Sequence, residues 1–215
     1  MLENVDINIQ KNDHAKHKTL VNKIQKNVNI NKFNKICDNL FKENKFCELF
    51  ELLKINKQKF SKNEKLVFYF GFSAYKLGYN TLAKEIFEDL LELNSNHFDG
   101  LNCYGFILDD NLEYEKAIKV FEKALAIKST FSPLYNNLGL SYAKLENYEK
   151  AEIHFKAAIK IDNNSDAIRN LSMLFLDQAT LLHNKKKYEK CLQSLKKAEA
   201  INKENIDISH MLAVC

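Results

Sequence analysis

Three groups of residues in this chain have the types and spacing that chemistry could use. His14 and His17 lie three apart beside Asp13, which on a helix would present two imidazoles to one metal ion. Asp109 and Asp110 are neighbouring carboxylates. Lys185, Lys186 and Lys187, with Lys190, Lys196 and Lys197, form the one local basic cluster, which could meet an acidic partner or a phosphate backbone. Each falls short of a site. The histidine pair sits in a polar leader with no Cys partner. Adjacent residues on a helix point in different directions, so the two aspartates do not form an acid–base pair. The lysines fit a solvated turn and helix face. His97 falls in a turn, His154 and His183 on charged helix faces and His210 in the last helix, and all four read as surface residues. No two of the five Gly stand at GxG spacing, so there is no phosphate loop. The expectation is no catalytic residue, no metal and no cofactor.

The elements that could position a different kind of site follow from composition. The 215 residues include five Gly, one Pro and no Trp. Sandwiches and α/β enzymes need Gly and Pro in their many turns, so a chain this poor in both points to helices with short polar connections. No apolar run is long enough to span a membrane, and residues 1–30 lack the apolar core and cleavage site of a secretory signal. Five Cys without CxxC spacing argue against a disulfide framework or zinc site and for a reducing, cytoplasmic setting. The net charge of +4 is uneven: residues 1–63 carry +6 and residues 64–215 carry −2. Basic charge is not striped along the body, which disfavours nucleic-acid binding.

A single period, about 34 residues long, organises the chain. "AKEIFEDLLEL" from Ala83, "AIKVFEKALAI" from Ala117 and "AEIHFKAAIKI" from Ala151 align in register, with Phe87, Phe121 and Phe155 at one offset. Upstream of each, Gly71, Gly105 and Gly139 stand twelve positions before the Ala. A weaker copy, "FNKICDNLFKENKFCELFELL", precedes them, with Cys37 at the Gly position. A later copy around Cys191, Leu195 and Ala198 arrives six positions late, so an insertion must lengthen the preceding helix, "SDAIRNLSMLFLDQATLLHN". Each unit reads as two amphipathic helices, with Gly and Ala small where the two cross and Phe and Tyr filling the space between pairs. Ser132 followed by Pro133 reads as an N-cap with Pro at the first helical position.

These residues resemble the tetratricopeptide repeat family over about residues 30–204. The resemblance implies an all-α, right-handed superhelical solenoid of antiparallel helix pairs, with about four to five repeats at 30–63, 64–97, 98–131, 132–165 and 166–204. A polar leader, 1–29, partly helical or disordered, would precede it. A single helix, 205–215, would follow as a partial repeat or cap. In this family the first helix of each pair lines a concave peptide-binding groove. The resemblance places Lys65, Phe68, Tyr69 and Phe72 there, then Asn102 and Phe106 with Asp99 and Cys103, then Asn136, Asn137 and Leu140 with Pro133. Asn34, Lys35 and Asp38 come from the leading copy. The aromatics could anchor apolar side chains or turn inward and pack. The asparagines could clamp a peptide main chain, since an amide both donates and accepts. The family's carboxylate clamp for chaperone tails is absent, because its positions hold Phe68, Phe72, Met173 and Asp177 and only Asn137 fits.

The expected function is therefore a non-catalytic protein–protein interaction scaffold, cytoplasmic, binding an extended peptide or partner helix. The alternative is the substrate-recruiting arm of a larger glycosyl- or sulfo-transferase, cut at its C-terminus. It is motivated by the apolar edge of the last helix, which self-association could also cover.

Overall fold

The computed structural model describes residues 29–201 and 206–214; Asp13, His14, His17 and the rest of the leader lie outside the described residues. All regular structure among the described residues is helical. Two compact units divide the chain, residues 1–100 and 101–215. The first holds α1 (Ile30–Lys42), α2 (Phe46–Ile55), the short α3 (Lys57–Phe60), α4 (Glu64–Lys76) and α5 (Asn80–Leu93). Next comes α6 (Phe98–Asp110). The second unit continues with α7 (Tyr114–Ile127), α8 (Ser132–Lys144), α9 (Tyr148–Asp162), α10 (Ser165–Asn184), α11 (Tyr188–Ile201) and α12 (Ile206–Val214). In the first unit α1 packs on α2, α4 on α5, and α4 also on α1 and α2; in the second, α7 through α12 each pack on the next, and α8 also packs on α10. This is the expected all-α succession of antiparallel helix pairs.

The pairs close through one repeated turn. Asn44, Gly78, Leu112, Glu146 and Lys186 all have positive φ, between 55° and 80°. The first four recur at the repeat period, and the fifth arrives late, after the lengthened α10. In every case the next residue's N–H returns to a carbonyl five back: Lys45 to Leu40, Tyr79 to Ala74, Glu113 to Leu108, Asn147 to Tyr142 and Lys187 to Leu182, at 2.8–2.9 Å. A left-handed residue lets the chain reverse while the last carbonyls of the first helix stay bonded. The insertion lies within α10, which has 20 residues against 13 in α8.

The small–large pairs explain the core. A Cβ on Gly105 would come within 2.3 Å of the Phe121 ring, and one on Gly139 within 2.5 Å of Phe155. Phe87, Phe121 and Phe155 are all fully buried. At the far end, Met211 and Leu212 of α12 pack against buried Ala179, Cys191 and Leu195, so this helix covers the α10–α11 pair. Ser132 differs from the expected N-cap. Phe131 holds the N-cap position, so Ser132 is the first helical residue and Pro133 the second. The Ser132 hydroxyl donates to Asp162 Oδ2 at 2.5 Å and accepts from Asn164 Nδ2 at 3.2 Å, tying the start of α8 to the end of α9.

Candidate functional site

In the first unit, the expected groove residues Lys65, Phe68, Tyr69 and Phe72 all come from α4, and the three aromatics join a cluster of half-buried rings. Phe41 stacks on Tyr69 at 4.0 Å between centroids and lies 5.4 Å from Phe72. Phe46 meets Phe72 edge-on at 5.5 Å, and Phe68 packs on Phe72 and His97 at 5.7 and 5.4 Å. Asp38 on α1 accepts from both the Tyr69 hydroxyl (3.1 Å) and the Lys65 ammonium (2.5 Å). Burial pushes the Tyr69 phenol up to about 12, and the adjacent Asp38 carboxylate adds to this. Burial would raise Asp38, but the bonds from Lys65 and Tyr69 outweigh it and hold the carboxyl below its usual value. The aromatic series is thus packed within itself, and the Lys65 charge is already compensated.

In the second unit, Phe106, Asn136, Asn137 and Leu140 line one groove of about 460 Å³, together with Pro133, Asn164, Asp166, Arg169 and Asn170. The first helices α6, α8 and α10 supply its main elements. They are joined side by side: Ser141 of α8 donates to Asp109 of α6, and Asn170 Nδ2 of α10 donates to Asn136 Oδ1 of α8 at 2.9 Å. Asn136 and Asn137 are only 9% and 6% exposed. Asn137 Nδ2 and Asn102 Oδ1 are buried and make no hydrogen bond within the chain. A buried polar atom without a partner costs about 1–3 kcal/mol; Asn137 lines the groove, while Asn102 is not among its described lining residues. Arg169 is held by Asp166 at 2.6 Å. Asn102 is half-buried, and Cys103, from the same series, is buried.

Several participants were missed by reading the sequence. Phe41 and Phe46 lie on the turn side of α1 and α2, away from the positions that the resemblance assigns. Asn170 stands one full period after Asn136, so extending the count by one more repeat finds it. Two histidines expected at the surface are not there. His97 is half-buried; its Nδ1 accepts from Gly100 N at 3.0 Å and caps α6. His154 is half-buried and stacks on Tyr142 at 5.3 Å, with its Nδ1 buried and unbonded. Asp109 and Asp110 do part company, the first half-buried against Ser141 and the second exposed. No cluster of metal-ligating side chains occurs among the described residues, and no helix among them is long and apolar enough to cross a membrane.

Residues 104–131 and 132–165 each match the tetratricopeptide repeat. This chain carries tetratricopeptide repeats and has their helix-pair fold. Solved structures share that fold at low identity. MamA from Desulfovibrio magneticus RS-1 is 20% identical with a TM-score of 0.60, covering 81% of this chain and 95% of that one. YrrB, described as a tetratricopeptide-repeat protein with an unusual peptide-binding site, is 18% identical with a TM-score of 0.63, covering 90% and 96%. TTC0263, a thermophilic tetratricopeptide-repeat protein of Thermus thermophilus, is 18% identical with a TM-score of 0.55, covering 84% and 95%. No curated protein sequence matches the chain. The fold supports a protein-binding role.

Proposed function

We propose that this protein is a non-catalytic interaction scaffold that binds an extended peptide or a partner helix along the first helices of its pairs. The observation that carries this reading is the convergence of Phe106, Asn136, Asn137 and Leu140 on one groove in residues 101–215. The peptide-binding site named for YrrB adds support by analogy. Half-buried Phe68, Tyr69 and Phe72 offer a second, apolar contact area in residues 1–100. A cytoplasmic setting fits Cys37, Cys47, Cys103 and Cys191, none of which is in a disulfide. The test is affinity capture from a cell lysate with the wild type and with Phe72→Ala/Asn137→Ala, each change also made alone. Prey lost from Asn137→Ala identifies the ligand and its groove together. Prey retained by the double variant at wild-type yield moves the function off these faces.

A further inference from the structure

We infer that the cleft where the second helix of the first pair breaks, at Asn56, binds a short acidic stretch of a partner polypeptide. The inference goes beyond the groove reading, because none of the residues that line this cleft belongs to that groove.

Asn56 stands one period before Leu90, two before Ala124 and three before Ala158. Those three are fully buried apolar residues inside continuous second helices of 14, 14 and 15 residues. Asn56 is buried too, but its side-chain amide needs partners there. Asn56 Nδ2 donates to Leu52 O at 2.8 Å, the carbonyl that a continuing helix would pair with the Asn56 N–H. That N–H turns to Leu53 O instead. So α2 stops after 10 residues, and α3 sets off separately with Phe60 buried beneath it. A cleft of about 710 Å³ lies at the break. Lys54, Lys57 and Lys59 line it with Ile55 and Ser61, and no acidic side chain is among its described lining residues. On an unbroken helix Lys59 would stand about 140° round from Lys54, so this cluster does not stand out in the sequence as Lys185, Lys186 and Lys187 do.

The three ammonium groups are loosely engaged. Lys45, Lys65, Lys116 and Lys156 hold their carboxylates at 2.5–2.6 Å. Lys54 stands 3.8 Å from Glu51 and Lys57 3.9 Å from Asp89, beyond hydrogen-bond distance. Lys59 has no ionic partner among the described residues. Their charge is therefore open to a partner's carboxylates. Two features favour a short polypeptide segment over a phosphate backbone or a headgroup surface. Ile55, 49% exposed, lies among the lysines and offers an apolar contact. Asp89 comes from α5, which carries four acidic residues and one lysine, so a long polyanion running past the cleft meets like charge.

The probe is a displayed library of short random peptides selected on the full chain. The expected result is a group of sequences that interleave Asp or Glu with an apolar residue, and whose affinity falls at least about tenfold over an about tenfold rise in salt. Lys57→Ala and Lys59→Ala should each weaken this group about threefold to tenfold, while Lys59→Arg and Lys186→Ala leave it within about twofold. Asn56→Ala restores the residue of the later repeats. It should continue α2, raise the helical circular dichroism and weaken the same peptides at least about threefold, an effect that surface charge alone would not give. Lys57 and Lys59 are exposed, so their variants carry the test even if Asn56→Ala fails to fold. The inference is wrong if no acidic group is enriched, or if the enriched group binds Lys57→Ala/Lys59→Ala as it binds the wild type. Tighter Lys59-dependent binding of a single-stranded oligonucleotide or of phosphatidylserine vesicles than of any selected peptide would overturn it as well. Peptides lost in Asn137→Ala but kept by the double lysine variant report on the groove instead, so the two readings fail separately.

Discussion

Replacing a helical Gly by Ala gains about 1 kcal/mol of helix propensity, while overpacking a core costs about 1–3 kcal/mol. At Gly139 the new methyl would meet the buried Phe155 ring at 2.5 Å, and at Gly71 the nearest atoms stand at 3.1 Å. Gly139→Ala should therefore lose stability, by up to about 2 kcal/mol net of the propensity gain, while Gly71→Ala stays near neutral. Urea midpoints of the two variants decide it; equal losses would mean that the Phe rings are not the constraint. His154 responds to pH rather than to size. Burial is the main cause that lowers its pKa, with Lys150 adding to this and Glu122 opposing. The folded state thus disfavours the protonated ring that the unfolded chain accepts. This contribution is fully present above about pH 6.5 and is lost as pH falls below it. His154→Phe should flatten the pH dependence of stability between neutral and mildly acidic solution, by less than about 1 kcal/mol given the partial exposure. A variant with the same acid sensitivity as wild type would exclude His154 as its source. Gly139 was legible in the sequence because its partner recurs at a fixed offset. His154 was not, since Tyr142, Glu122 and Lys150 gather around it only after α7, α8 and α9 pack.

At the level of elements, one turn geometry closes all five pairs, at the repeat period for the first four and late for the fifth. Four of the five left-handed turn positions hold Asn, Leu, Glu and Lys instead of Gly. A left-handed non-Gly residue costs about 1–2 kcal/mol, and Gly gives back about 0.5–1 kcal/mol through unfolded-chain entropy. Leu112, with φ of 64°, is 70% exposed, so little packing is lost with its side chain. Leu112→Gly should raise stability by about 0.5–1 kcal/mol, read as a higher urea midpoint with an unchanged slope. A lower midpoint would show that the Leu side chain contributes contacts its exposure does not suggest. The helix pairs, and the lengthening of α10, could be read from the regular period and its one longer offset. The fate of Ser132 could not. A Ser–Pro start reads locally as a cap, but Asp162 and Asn164 arrive thirty and thirty-two positions later and claim the hydroxyl.

For the molecule as a whole, the repeat period brings candidate residues to one groove in residues 101–215 but does not set its chemistry. Asn136, Asn137, Leu140 and Phe106 stand at positions that a repeat assigns by counting, and they line one groove. The Asn136–Asn170 bond and the Arg169–Asp166 pairing depend on which side chains meet, and periodicity does not report that. In repeat proteins stability is roughly a sum of units and their nearest-neighbour interfaces. Every described lining residue of the groove lies between Phe106 and Asn170, inside one compact unit. α6 brings its own start signal, His97 Nδ1 accepting from Gly100 N. A fragment beginning at Asn96 therefore keeps that cap, the α6–α7 and α8–α9 pairs, and the α10–α12 end that packs on Ala179 and Leu195. It should fold with helical circular dichroism and bind a groove-selected peptide within about threefold of the full chain, because no lining side chain has been removed. Folding with loss of binding would place an essential contact in residues 1–95.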